Sequence, residues 1–399
     1  MAPTRRHFFL AGSSLLAAHA APSDQITLGV IGSGGRGTYV MTEFQKDERL
    51  RIASICDVYE PNLERALGVA TKKQGSSPRA IRRYQQILED RSIHAVLIAT
   101  PEHWHHRMVL DALAAGKDVY VEKPLCQTPE QGVELVRAAQ ASKNIVQVGM
   151  QRRSYDLYLE GRKVVAAGTL GKVRMVRSWW LNNYVNQPPS AKLDGVLDWE
   201  QWQGPAQHRV APDPARFRHW RFFQDYAGGI AADQGAHIFD GIHLLMNASY
   251  PLAVTASANK VQKPEFDTPE SVVTVAEYPE QFLGIFTINY AAMKYKSKND
   301  QLNQLDGDLA RMDIGREEFK VFRQGEEETP LLTKASERGF DFATELHVRN
   351  FLDCVSTRQQ PTAPMRIGFQ ACLITLLANI SLKTGQRVRW DDQAGRVIR

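Results

Sequence analysis

The chain has 399 residues, of which 43% are hydrophobic and 23% charged. That is the composition of a soluble globular protein with room for two or three domains and a sizeable core. The formal charge is +5, and Arg5 and Arg6 supply two of those charges ahead of the first acidic residue, Asp24. The +3 left on the remainder is too slight to argue for nucleic acid or an anionic membrane as partner, and no apolar run past the N-terminus is long enough to span a bilayer.

The first segment reads as a targeting signal. Thr4-Arg5-Arg6-His7-Phe8-Phe9-Leu10 sets two arginines before apolar residues, a short apolar region runs through Leu15-Leu16-Ala17, and Ala18-His19-Ala20 has the A-x-A form of a cleavage site. It resembles a bacterial twin-arginine (Tat) signal. Residues 1–20 are therefore expected to engage the Tat translocon and to direct the chain to the periplasm or beyond. Four cysteines, Cys56, Cys126, Cys354 and Cys372, form no C-x-x-C pair. Free thiols are expected, because Tat substrates fold in a reducing compartment; Cys354 with Cys372 is the one disulfide pair to consider.

Ile26 to Ile31 is a short apolar run with β-branched residues, the pattern of a buried strand. The loop Gly32-Ser33-Gly34-Gly35-Arg36-Gly37 follows, then a helical segment from Thr38 to Lys46. A second strand spans Arg51 to Cys56 and ends at Asp57. Strand, G-x-G-x-x-G, helix, strand and acid in that order fit a dinucleotide site. Gly32 turns the chain, Gly34 lets the backbone approach a pyrophosphate, and Gly37 lets the helix pack close. The helix N-terminus offers N–H groups to phosphate. Asp57, 20 residues past Gly37, would accept from ribose hydroxyls and repel a 2′-phosphate, which favours NAD over NADP.

Helices at Pro61 to Leu67, Tyr84 to Asp90, Trp104 to Ala115 and Glu130 to Ser142 alternate with strands at Ala95 to Ala99, Asp118 to Val121 and Ile145 to Gly149. That rhythm predicts a parallel sheet covered on both faces over residues 25–150. Its ligands would bind beyond the carboxyl ends of the strands, where Gly32, Asp57, Thr100 and Lys123 all lie. From about Met150 the rhythm changes. Lys172 to Leu181, Leu252 to Lys260, Ser271 to Tyr278, Gln281 to Tyr290, Asp308 to Ile314 and Glu318 to Arg323 read as strands with few helices between the later ones, which predicts antiparallel pairing over residues 151–384. Asn182 to Asp225 reads as irregular, Thr344 to Thr357 and Ile367 to Thr384 as helices, and 385–399 as a C-terminal tail.

Lys123 follows a strand directly and precedes Pro124, which keeps it extended and aimed into the cleft. It could hydrogen-bond a hydroxyl on its way to a carbonyl, or shuttle a proton; its bland alternative is a solvated surface lysine. In Gly228 to Asp240, helical spacing puts Asp233, His237 and Asp240 on one face, and Ile238, Ile242 and Leu245 on the other. A carboxylate one turn from a histidine can orient it as a proton acceptor. The same spacing suits a metal or a plain surface helix. His103, His105 and His106 crowd one turn with Trp104 and read as a cleft-lining loop rather than a zinc site, since no cysteine or carboxylate stands at metal spacing; no metal is expected. Trp179, Trp180, Trp199, Trp202, Trp220 and Tyr226 could offer flat faces to a sugar, although most aromatics are core.

These pieces together resemble the Gfo/Idh/MocA family of oxidoreductases. The matching elements are Gly32 to Gly37, Cys56-Asp57, Thr100-Pro101-Glu102-His103-Trp104-His105, Glu122-Lys123-Pro124, Val148 to Arg153, Asp233-Gln234-Gly235-Ala236-His237, Phe351-Leu352-Asp353-Cys354 and Thr384 to Val388. The resemblance implies a Rossmann domain followed by an α/β domain with a large, open, mainly antiparallel sheet. It implies hydride transfer between NAD and a sugar or cyclitol, with Lys123, Asp233 and His237 catalytic and Asp233 steering the imidazole. Gly32, Ser33, Gly34, Gly35, Arg36, Gly37, Asp57, Thr100, Pro101, His103, His105, Glu122 and Lys123 would hold the cofactor. Lys123, Gln151, Arg152, Trp180, Asp233 and His237 would meet the substrate, and a homo-dimer or homo-tetramer is expected. Two further readings share these residues: a glycosidase that oxidises its sugar transiently with NAD, and a non-catalytic sugar sensor on a borrowed fold.

Overall fold

The computed structural model describes residues 25–183, 192–260, 266–292 and 301–398; the predicted signal, residues 1–20, lies outside them. The first domain runs β1 (Ile26–Ile31), α1 (Gly35–Phe44), β2 (Leu50–Cys56), α2 (Glu60–Gln74), β3 (Arg79–Ile81), α3 (Gln85–Glu89), β4 (Ala95–Ile98), α4 (Glu102–Ala114), β5 (Asp118–Val121), α5 (Pro129–Ala141) and β6 (Val146–Val148). The strands form one sheet in the order β3-β2-β1-β4-β5-β6, all parallel. Strand order reverses between β1 and β4, and this switch point opens a crevice at their carboxyl ends. Helix punctuation follows local chemistry. Thr128 accepts from the Gln131 N–H to cap α5, and α2 stops where Gly75 turns left-handed at φ +73°.

The second domain begins with a 3₁₀ turn at Gln151–Ser154, then α6 (Asp156–Ala166), β7 (Met175–Leu181), the short helices α7 (Trp199–Gln203) and α8 (Pro214–Arg218), and α9 (Gly229–Met246). Strands β8 (Ala253–Ala258), β9 (Ser271–Glu277), β10 (Leu283–Asn289), β11 (Gln301–Asp306), β12 (Ala310–Ile314), β13 (Glu318–Arg323) and β14 (Leu332–Ala335) follow, then α10 (Asp341–Thr357), α11 (Met365–Thr384), β15 (Val388–Asp391) and β16 (Arg396–Ile398). They build a ten-stranded sheet, β14-β13-β12-β11-β7-β10-β9-β8-β15-β16, antiparallel except where β10 runs alongside β7. The segment expected as a C-terminal tail, 385–399, is no tail over its described residues, 385–398: Val388 pairs with Val254, and β15 and β16 extend the sheet edge. The stretch expected to be irregular contains α7, α8 and a 3₁₀ turn at Trp220–Phe222.

α9 lies on the inner face of this sheet, with Ile238, Ile242 and Leu245 buried as its periodicity predicts. α11 is long and apolar enough to cross a membrane by composition alone, yet it is core. It packs between α9 and α5, and a Cβ on Gly235 would stand 2.8 Å from Thr375. α10 returns to the first domain, where Phe351 meets Phe44 and Tyr120 edge-on at 5.9 and 5.8 Å. All four cysteines are buried and free.

Candidate active site

The crevice at the switch point is the mouth of a cavity of about 860 Å³ that reaches from Gly32 to His237. Its first half is built by absence of side chain. Gly32 has φ +85°, and a Cβ there would lie 2.9 Å from the Ala99 carbonyl; a Cβ on Gly37 would fall 2.0 Å from the Gly32 oxygen. A Cβ on Gly35 would meet nothing within 4 Å, and one on Gly34 only Asn62, at 3.8 Å, so the loop backbone faces open space. Gly34 precedes α1 without any side-chain cap, which leaves first-turn N–H groups for an anion. Asp57 lines the same space: its Oδ2 accepts from the Ser33 N–H (2.7 Å) and hydroxyl (3.1 Å), its Oδ1 from the Tyr59 N–H (2.9 Å). Burial raises its pKa against those bonds. An uncapped helix, a loop stripped of Cβ atoms and an acid at the strand end fit a dinucleotide.

Thr100 and Pro101 line the wall opposite, and Arg36 reaches across to Glu122 at 2.9 Å. Gly149 lets that carboxylate in, since a Cβ there would sit 2.8 Å from Glu122 Oε1. The next residue, Lys123, forms a cis peptide with Pro124. Its Nζ donates to Asp233 Oδ1 at 2.6 Å and to the Asp233 backbone carbonyl at 3.0 Å. Asp233 Oδ2 accepts from Arg221 Nε at 3.2 Å and Gln234 Nε2 at 3.0 Å. Burial pushes the Asp233 carboxyl up, but the Lys123 and Arg221 charges outweigh it and hold the group below the ordinary carboxylate range. One turn along α9, His237 lines the cavity with its ring stacked on Trp180, centroids 6.5 Å apart. Burial, then the charges of Lys123 and Arg152, drive its pKa well below the ordinary imidazole value.

Two family descriptions match this arrangement. Residues 26–150 match the NAD-binding Rossmann fold of the GFO/IDH/MocA oxidoreductases, and residues 158–310 match the C-terminal domain of the same group. The chain belongs to the Gfo/Idh/MocA family. Its first domain is an NAD-binding Rossmann domain. Inositol 2-dehydrogenase of Corynebacterium glutamicum (strain R) is 31% identical over 166 residues, 41% of this chain and 48% of that protein. Glycosyl hydrolase family 109 protein 2 of Shewanella sp. (strain ANA-3) is 32% identical over 137 residues, 33% of this chain and 30% of that protein. The chain thus spans less than half the length of these curated relatives. In fold the likeness is broader. A levoglucosan dehydrogenase in complex with NADH and levoglucosan superposes with a TM-score of 0.73 over 92% of this chain and 99% of that one, at 18% identity. An NAD-binding oxidoreductase from Klebsiella pneumoniae gives 0.71 over 92% and 99%, also at 18%.

Within this Gfo/Idh/MocA site several expected residues take other posts. Asp233 bonds Lys123 rather than the His237 ring, so the expectation that it steers the imidazole is corrected: its two oxygens are already taken by Lys123, Arg221 and Gln234. Asp240 leaves the catalytic face too, held by Arg153 Nε at 2.5 Å. His103 and His105 do not reach the cavity. His103 bonds the Trp202 carbonyl at 2.9 Å among Tyr226 and Trp202, and burial brings its pKa down to about 4. His105 sits between the carbonyls of Pro124 and Thr100, 2.7 and 2.8 Å from its ring nitrogens, and ties two cavity loops from behind. Arg152 is buried and works on the framework: it donates to the His237 carbonyl at 2.9 Å, bonds Gln301 and lies 5.3 Å from the Tyr158 ring centre. Trp180 backs His237, and Gln151 lines the cavity. Among the described residues no cluster suits a metal.

Sequence reasoning missed Arg221 and gave no role to Glu102. Glu102 is 1% exposed; its Oε2 accepts from the Gly228 N–H at 2.9 Å, and its Oε1 is buried without a partner. Burial and the nearby Asp233 charge push its pKa up to about 8.

Proposed function

We propose that the protein is an NAD-dependent oxidoreductase acting on a CH–OH group of a sugar, cyclitol or sugar derivative. The observation that carries this reading is that Lys123, Asp233 and His237 share one cavity with the glycine loop. NAD bound along that loop supplies the hydride acceptor. The neutral His237 ring takes the hydroxyl proton while the Lys123 ammonium donates to the same oxygen as negative charge gathers there. Two of the Lys123 donors are anchored on Asp233, which leaves the third for substrate. Lys123→Met should abolish turnover while NAD(H) is still released on denaturing the purified protein. Near-normal activity in that variant would refute the assignment.

The glycosyl hydrolase family 109 relatives favour a second reading, a glycosidase in which the sugar is oxidised and later re-reduced. A panel of nitrophenyl glycosides separates the two: aglycone released without net NADH supports the glycosidase, and NADH growth with free sugar supports the dehydrogenase. Export belongs to the same proposal. The Arg5-Arg6 pair directs the chain through the Tat translocon, so replacing both by lysine should leave the protein in the cytoplasm on fractionation.

A further inference from the structure

At the reacting end of the cavity Lys123 and Arg221 face two carboxyl groups, Asp233 and Glu102. Glu102 holds the Gly228 N–H, and burial and the Asp233 charge push its pKa up to about 8, so at neutral pH it is largely uncharged and balances little of the excess positive charge. Asp233 is one carboxylate between two cations, with Lys123 on one oxygen and Arg221 on the other. The neighbouring Arg36 and Glu122 neutralise each other. Pairing Lys123 with Asp233 leaves Arg221 over, and an oxidised nicotinamide would add a second positive charge. Arg221 uses only Nε on Asp233. Among the described residues, neither terminal nitrogen of Arg221 makes a hydrogen bond or ion pair. The guanidinium lies 4.1 Å from the Trp220 ring centre, which fixes its plane, and the side chain is 40% exposed along the cavity wall. A second cavity-lining guanidinium, Arg218, hydrogen-bonds the Tyr59 hydroxyl at 3.5 Å, lies over the Tyr59 and Phe217 rings, and has no carboxylate partner among the described residues.

We propose that the substrate is an anionic sugar, whose carboxylate, phosphate or sulfate substituent is received by the free edge of Arg221 beside the reacting carbon. This rests on the oxidoreductase reading above. A planar guanidinium held by its stack and by one hydrogen bond presents two parallel donors, the geometry that selects an oxyanion over a hydroxyl. In a cavity partly shielded from water, a cation is better matched by an opposite charge than by a neutral hydroxyl.

The test is binding to the dinucleotide-loaded protein, read by calorimetry and thermal shift at low and high salt. The probes are glucose, glucuronate, glucose 6-phosphate and glucose 6-sulfate. At least one anionic probe should bind at least roughly tenfold tighter than glucose, with the advantage shrinking in salt. The best of the three names the substituent. Arg221→Gln should weaken that probe by roughly 10- to 100-fold and erase its advantage over glucose, whereas Arg221→Lys should keep the preference in part. Equal or weaker binding of all anionic probes overturns the proposal, as does a preference that survives in Arg221→Gln. Tight anion binding with no turnover would sink the oxidoreductase reading and leave the anion site standing. Turnover of neutral sugars with no anion preference would do the reverse.

Discussion

Burial and two nearby cations keep the His237 imidazole well below its ordinary pKa, so at neutral pH the ring is uncharged and ready to accept a proton. The sign follows directly. A base of lowered pKa is lost only when pH falls past that lowered value, so the acid limb of kcat for alcohol oxidation should lie well below pH ~6.5, the ordinary imidazole value. His237→Ala should lower kcat by roughly 10²- to 10⁴-fold with little change in bound NAD(H). A pH–rate profile with its acid limb at an ordinary imidazole pKa would exclude His237 as the base. The same residue marks what was legible in the sequence at this scale. Gly32, Asp57 and Lys123 stand at strand ends, and local geometry sets them on the cavity. His237 comes to the same cavity by helical spacing from Asp233. The bond Asp233 makes instead, to Lys123 from the other domain, spans a sequence separation of 110, and no periodicity carries it.

Three elements are tied together at Gly228, the residue before α9. Its N–H is taken by Glu102 from the start of α4, and its carbonyl by Asn379 of α11 at 2.9 Å. Three helices thus fix the point from which Asp233 and His237 are measured. Glu102→Ala removes one of those anchors and should lower kcat while leaving NAD(H) content intact; Glu102→Gln keeps an acceptor for Gly228 and should restore most of it. The carboxyl also sets a pH dependence. Facing Asp233, Lys123 and Arg221, and close to Cys126 and Cys372, it titrates near 8 when folded against about 4.5 when free. A raised carboxyl pKa contributes stability that is complete below about 4.5 and lost as pH rises to about 8. The Tm of the wild type should therefore fall across that window relative to Glu102→Gln. Parallel curves would remove Glu102 from the account. Elements differ in legibility for a related reason. β4 is apolar throughout and β1 apolar but for Thr27, so both declare themselves, whereas β11 hides: its inward residues Gln301 and Asn303 bond Arg152 and Ser178, so a buried strand looks polar. β15 is similarly disguised by Arg387 and Arg389 around Val388, although Val388 and Trp390 are buried.

Across the whole molecule, the parallel six-stranded sheet and the ten-stranded sheet are distinct layers, but the chain does not treat them as separable. The segment between β7 and α9 crosses back over the first domain. Glu60 N–H donates to the Val196 carbonyl at 2.9 Å, Tyr59 hydroxyl to the Asp194 carbonyl at 2.6 Å, and Trp104 Nε1 to the Trp202 carbonyl at 3.0 Å. From the other side α10 completes the core under the Rossmann sheet, where Phe351 and Leu352 are fully buried in one apolar cluster with residues of β1, α1 and β2, Phe351 lying against Phe44 and Tyr120. A domain defined as residues 25–150 lacks that helix and leaves Phe44 and Tyr120 facing solvent. Phe351→Ala should consequently cost about 3–5 kcal/mol, measured as a lowered midpoint in denaturant. Because the ring belongs to the second half of the chain and fills the core of the first, tryptophan fluorescence and release of NAD(H) should shift together in one transition. Dinucleotide release at an unchanged midpoint would mean that the first domain holds its core without α10.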